Sequence, residues 1–253
     1  MTRIITLCSG KGGAGKTFLT ANLGAALAEY RRDVVVVDAN LTTPNLGFHL
    51  GVPLYPTTLH DVLKGKAKIS DALYEHSPGL KIVPAGIALR DLQGTDARDF
   101  PNALLDLLGN TDIVLIDSAA GLGREALASL ETADELVLVT NPELPAVADA
   151  LKAAKLAEQL GTRVSGVVLN RVAGKKHEMK QHEVLTMLDH MNLLAEIPED
   201  SAVQQAIARR MPVIHHAPRS KASMAIRRLA GRMLGYQQRL KEPWYARMFS
   251  FLR

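Results

Sequence analysis

Cysteine is almost missing from these 253 residues: Cys8 stands alone. That excludes an intramolecular disulfide and any cysteine-only metal cluster within one chain. Long apolar runs are missing too. No stretch approaches the roughly 20 residues that a membrane-spanning helix requires. The first apolar segment, Ile4–Cys8, is too short for a signal peptide and leads straight into a glycine loop. The expected compartment is therefore the cytoplasm. There is no internal repeat, low-complexity tract or Pro/Gly-rich linker, so the chain reads as one domain, 1–242, with an appendix, 243–253. The histidines show no H-E-x-x-H spacing, which leaves His177, His182, His190, His215 and His216 as ordinary helix and loop residues. Acidic residues are nearly absent from the carboxy-terminal end. From Arg209 to Arg253 there are 11 Lys/Arg against the single acid Glu242, a net of +10, whereas the remainder carries 19 basic and 25 acidic residues, a net of −6. Such asymmetry points to an anionic surface as partner, either nucleic acid or lipid headgroups.

What is present is a regular alternation. Apolar runs at Ile4–Cys8, Val34–Val37, Leu80–Val83, Ile113–Ile116, Leu136–Val139, Val164–Leu169 and a short one near Leu194–Ile197 read as strands buried on both faces. Between them, helical periodicity covers roughly Lys16–Tyr30, Asn102–Leu108, Glu125–Glu131, Ala146–Leu160, Glu178–Met191, Ala202–Arg209 and Arg219–Leu240. The expected fold is α/β: a doubly wound, mostly parallel sheet with helices on both faces.

The strongest motif is Ser9-Gly10-Lys11-Gly12-Gly13-Ala14-Gly15-Lys16-Thr17, between an apolar strand and a helix. This is the setting a P-loop requires. Glycines at 10, 12, 13 and 15 let the backbone turn and approach oxygens closely. Successive N–H groups then form an anion nest at the positive end of the helix that starts at Lys16. Lys16 is expected to reach the β- and γ-phosphates of ATP, and the Thr17 hydroxyl to ligate Mg²⁺. Val34–Val37 delivers Asp38 and Asn40, and Ile113–Ile116 delivers Asp117, to strand ends where open α/β sheets bind ligands. Either aspartate alone could equally be a helix N-cap. Three strand ends converging on one site favour a magnesium-phosphate centre.

Lys11 sharpens the reading. A second lysine directly after the first glycine resembles the deviant Walker A motif of the MinD/ParA ATPase family. The resemblance implies that Lys11 reaches the phosphates of a partner's ATP across a homodimer interface, so that ATP drives dimerisation and hydrolysis undoes it. A lysine supplied in this way acts as an arginine finger does. By the same likeness Asp38 is similar to the switch I aspartate, acting on the metal shell or attacking water, and Asp117 is similar to the Walker B carboxylate on the Mg²⁺ side. The P-loop set, Gly10 to Thr17 with Ala14 and then Phe18, holds nucleotide. Val139-Thr140-Asn141-Pro142-Glu143, with Asp149, resembles the segment that approaches the signature lysine. Asn170-Arg171 is similar to the strand end that binds the adenine edge, and Pro198-Glu199-Asp200 to the loop that packs on the base. One departure matters: MinD proteins commonly have aspartate at the place of Asn40. An amide positions water but cannot accept its proton, so slow, partner-stimulated turnover is expected.

The appendix Pro243–Arg253 holds four of the chain's eleven aromatic residues. Wound as a helix, Trp244, Tyr245, Met248, Phe249, Phe251 and Leu252 share one arc, opposed by Arg247, Ser250 and Arg253. That describes an interfacial helix on an anionic membrane, weak alone and stronger when two tails act in one dimer. The resemblance to MinD implies the same: reversible, peripheral attachment to the inner face of the membrane, positioning cell-division or other machinery, with an activating or cargo protein as a further partner. The alternative is a ParA-like DNA-partitioning ATPase that binds DNA through its basic carboxy-terminal third.

Overall fold

The computed structural model describes residues 1–52 and 54–236. The appendix, with Trp244, Tyr245, Met248, Phe249, Phe251 and Leu252, lies outside the described residues.

The valine- and isoleucine-rich runs form one eight-stranded sheet. Its strands are β1 (Arg3–Cys8), β2 (Val34–Ala39), β3 (Tyr74–Ser77), β4 (Leu80–Val83), β5 (Ile113–Ser118), β6 (Glu135–Thr140), β7 (Arg163–Val172) and β8 (Leu193–Pro198). Their spatial order is β3-β4-β2-β5-β1-β6-β7-β8. Every neighbouring pair is parallel except β3–β4. The central strands β2 and β5 are buried along their whole length, as runs without polar alternation demand. The expected doubly wound sheet is therefore what the chain forms. Strand β3 was not expected: Tyr-Glu-His-Ser contains no apolar run, and it forms a half-exposed edge strand whose partner, not its own pattern, defines it.

Among the described residues six helices have seven or more residues: α1 (Lys16–Glu29), α2 (Arg124–Thr132), α3 (Leu144–Gln159), α4 (Gln181–Met187), α5 (Ser201–Ala208) and α6 (Lys221–Met233). Side chains alternate between faces along each strand. Ile5, Leu7, Val34 and Val36 pack with Leu19, Leu23 and Leu27 of α1, Ala206 of α5 and Ile226 and Leu229 of α6. Cys8, Leu136, Leu138, Val167 and Leu169 meet Leu130 of α2, Val147, Ala150, Ala154 and Ala157 of α3, and Val184 of α4 on the opposite face. Cys8 is fully buried there. Truncating a leucine such as Leu115 in this core costs about 2–5 kcal/mol.

Three helix expectations need correction. Asn102–Leu108 is no continuous helix: Pro101 starts a short helical turn at Phe100–Ala103, and a 3₁₀ turn follows at Leu105–Leu107. The span Glu178–Met191 shortens to α4, because Asp189 and His190 adopt left-handed backbone at φ 52° and 57°. The last helix does not run to Leu240. Gly235 takes φ 77°, its N–H donates to Arg232 O at 3.0 Å, and the Tyr236 N–H donates to Gly231 O at 2.9 Å. That pair of bonds is a Schellman ending.

Candidate functional site

The parallel register brings the motifs together. Asp38 on β2 pairs with Asp117 on β5, and Asp117 pairs with Leu7 near the end of β1. The glycine loop leaves β1 at that same rim. Gly13 and Gly15 hold φ of 83° and 92°, which side chains rarely adopt. Gly15 is needed twice over: a Cβ there would lie 2.1 Å from Asn170 Nδ2. Asn170 in turn donates from Nδ2 to Ala14 O at 2.8 Å, so β7 braces the loop from behind. Helix α1 opens at Lys16 without a side-chain cap or an acid in its first turn. Its leading N–H groups are thereby left to an anion.

Buried charge gathers at the head of α1. Lys16 is only 7% exposed and donates from Nζ to Ser9 Oγ at 2.9 Å. Burial pushes its ammonium below the ordinary lysine range, against the pull of Asp117. Asp117 is fully buried; burial lifts its carboxyl to about 6, opposed by the Thr17 hydroxyl, Lys16 and Thr20. Its Oδ2 has no hydrogen-bond partner. Asp38 is likewise raised well above the carboxylate range, first by burial and then by Asp117 beside it. Two facing buried carboxylates, one with an orphaned oxygen, carry more negative charge than Lys16 alone offsets. A divalent cation supplies it, so the residues fit a magnesium site.

Above them lies a pocket of about 520 Å³. Of the expected nucleotide residues, Gly12, Gly13, Gly15, Lys16, Thr17, Phe18, Asn170, Arg171, Pro198, Glu199 and Asp200 line it, together with Asn40. Gly10 and Ala14 stand behind. A Cβ at Gly10 would run into the Asp149 backbone at 2.2 Å, which shows how closely α3 approaches the loop. Several side chains are already engaged. Asp38 accepts from the N–H groups of Asn40, Asn45 and Leu46 at 3.2, 3.0 and 3.0 Å, so it shapes the loop after β2. The Asn40 amide closes on Thr43, donating to its carbonyl at 2.7 Å and accepting from its hydroxyl at 3.1 Å. Asp200 caps α5 and also accepts from Ala222 N at 3.1 Å, tying α5 to α6. Arg171 pairs with Glu199 at 3.0 Å.

Lys11 points away from this cluster. Its Nζ meets Glu143 Oε2 at 2.8 Å on the outer lip, and that lysine holds the Glu143 carboxyl below its usual range. Asp149 pairs instead with Lys152, one helical turn along, at 3.1 Å. Glu143, rather than Asp149, is the acid that meets Lys11.

Other pocket residues were not anticipated. Val203, Gln204 and Ile207 of α5 line the pocket as well; their helical spacing of three, four and seven residues from Asp200 was the available signal. His49, Asn45 and Ala120 complete the wall, and no local pattern marked them. Glu125 was missed as well: it accepts from Leu41 N at 3.0 Å and Thr42 Oγ1 at 2.5 Å, joining the loop after β2 to the head of α2.

Known proteins share this arrangement. Residues 5–213 match the model of the CobQ/CobB/MinD/ParA nucleotide binding domain. An uncharacterized ATP-binding protein of Methanocaldococcus jannaschii is 35% identical, across 100% of this chain and 96% of that protein. The septum site-determining protein MinD of Thermotoga maritima is 34% identical, across 93% and 89%. Among solved structures, the septum site-determining protein MinD from Pyrococcus horikoshii, complexed with Mg-ADP, superposes with a TM-score of 0.89 at 37% identity, covering 92% of this chain and 96% of that one.

Proposed function

The chain belongs to the CobQ/CobB/MinD/ParA nucleotide-binding family, and on that premise we propose that it is a MinD-like ATPase. In this reading it binds ATP with Mg²⁺, dimerises on the P-loop face, and attaches reversibly to the inner membrane surface to position cell-division or other machinery. The observation that carries the reading is the separation of two lysines on one loop. Lys16 sits buried at the phosphate end of the pocket, while Lys11 lies outside the pocket, held by an exposed glutamate. An exposed pair of this kind is worth about 0–1 kcal/mol, so a partner's phosphates compete for Lys11 at little cost.

The residues divide the work as follows. The N–H groups of the loop and of α1 hold the phosphates, and Lys16 neutralises their charge. Thr17 and Asp117 hold the cation, Asp117 directly or through water, and Asp38 keeps the loop after β2 in place beside it. Bound Mg·ATP supplies the phosphoryl group and the cation charge. Phe18, Ile197, Val203 and Ile207 give the pocket an apolar side for a base, with Asn170 Oδ1 at its edge. Asn40 donates one Nδ2–H to Thr43 O and keeps the other to hold a water, but the amide takes no proton from that water. Slow turnover follows, raised by a partner.

The test is co-sedimentation with anionic vesicles under ATP, ADP and no nucleotide, for the full chain and for a form ending at Glu242. Pelleting that needs ATP and is lost on truncation supports the reading. A chain that stays in solution throughout, yet binds DNA when ATP is present, makes it a ParA-like partitioning ATPase instead. The net charge of +10 from Arg209 onward is the feature that favours that second reading.

A further inference from the structure

A second pocket, of about 450 Å³, opens where β4 ends, on the same carboxyl rim of the sheet as the nucleotide pocket. Its walls are preformed. Leu59 N–H donates to Pro84 O at 2.7 Å, and Gly86 N–H donates to Nδ1 of the fully buried His60 at 2.9 Å. Tyr74 fastens the other side by donating from its hydroxyl to Thr57 O at 3.0 Å. The two carboxylates of the lining turn inward: Asp61 accepts from Thr58 N–H and Asp91 from Ala88 N–H, both at 2.9 Å. Lys64, Lys66 and Arg90 line the same pocket and form no salt bridge among the described residues. Apolar groups stand around them. Leu54 and Ile87 of the lining are 71% and 47% exposed, and Leu89, between the lining residues Ala88 and Arg90, is 86% exposed. Leucines held in water beside a preformed cleft mark an interaction surface.

We propose that this pocket docks an acidic amphipathic segment of another protein. Its apolar side chains would enter between Leu54 and Ile87, and its carboxylates would meet Lys64, Lys66 and Arg90. The sign of the rim selects the occupant. The chain's own carboxy-terminal tail is excluded, since it carries Arg247 and Arg253 and no acid after Glu242. A lipid surface is disfavoured by shape, because the apolar groups surround a cleft that a side chain fills and a bilayer face does not. This surface is separate from the nucleotide reading and stands without it.

The experiment uses the full chain and a fluorescein-labelled helical peptide with leucine on one face and glutamate on the other, read by fluorescence anisotropy. Lys66→Glu and Leu54→Ser change exposed side chains of the lining, so the fold is left intact. Each is expected to weaken binding about tenfold or more, and added salt is expected to weaken it further. The same peptide with lysine in place of glutamate is expected not to bind. Absence of binding by the glutamate peptide, equal binding by the lysine peptide, or indifference to both substitutions overturns the proposal. So does a result in which the two substitutions leave peptide binding alone but reduce pelleting with phosphatidylglycerol vesicles, which would make the surface a membrane contact.

Discussion

The two pockets on the carboxyl rim of the sheet are built from opposite materials. At the nucleotide pocket, charge is buried and apolar groups are subordinate: Lys16, Asp38 and Asp117 are all buried. At the pocket beyond β4 the arrangement inverts, with leucines in water and cations on the surface. Holding phosphate and metal requires charge taken out of solvent and fixed, which strains the fold and demands particular residues. Recruiting a protein segment requires only that suitable side chains stay exposed, and a residue that merely stays exposed need satisfy nothing else.

The largest expected effect is Lys16→Ala, which removes the buried ammonium from the phosphate end. Nucleotide affinity, followed by titration calorimetry, should fall on the order of a hundredfold, as loss of a charge-assisted contact implies. Binding of the glutamate peptide at the β4 pocket should be unaltered; a loss at both pockets would break the contrast between them.

The next effect concerns pH. With its carboxyl raised to about 6, Asp117 keeps a proton in the folded state that the unfolded chain releases near pH 4. Stability from this group therefore falls as pH rises from about 4 through about 6. Denaturant unfolding at pH 5, 6 and 7 without magnesium should show Asp117→Asn gaining on the natural chain at each step. A constant difference across that range would mean the carboxyl is not held protonated.

The smallest effect is the most direct on the second pocket. Leu54→Ser should leave stability within about 0.5 kcal/mol, as for surface positions generally, whereas Leu115→Ala should cost about 2–5 kcal/mol. A large loss for Leu54→Ser would show that this leucine is covered.

The same contrast explains what could be read in advance. The glycine loop, Asp38 and Asp117 were legible because each sits at a strand end after an apolar run, whereas Asn170 and the Pro198–Asp200 loop were reached through the resemblance to the MinD/ParA family. Val203 and Ile207 were readable in principle from helical spacing. His49 and Asn45 were not, since they enter the pocket only through the path of the loop that Asp38 holds. Strand β3 was invisible because an edge strand needs no apolar run, and the end of α6 was misplaced because a glycine is compatible with helix until its φ is known.

By itself the sequence determined the layer architecture and the chemistry of the phosphate site. Burial on both faces of a strand and close backbone approach to phosphate each restrict residue type at fixed spacing, so they leave a pattern along the chain. Tertiary structure alone decided that Lys11 rests on Glu143, that the Asn40 amide closes on Thr43, and that Leu54 and Ile87 line one cleft with Lys64, Lys66 and Arg90. Those arrangements depend on distances between residues far apart or on side-chain directions within a loop, and neither imposes a period on the sequence.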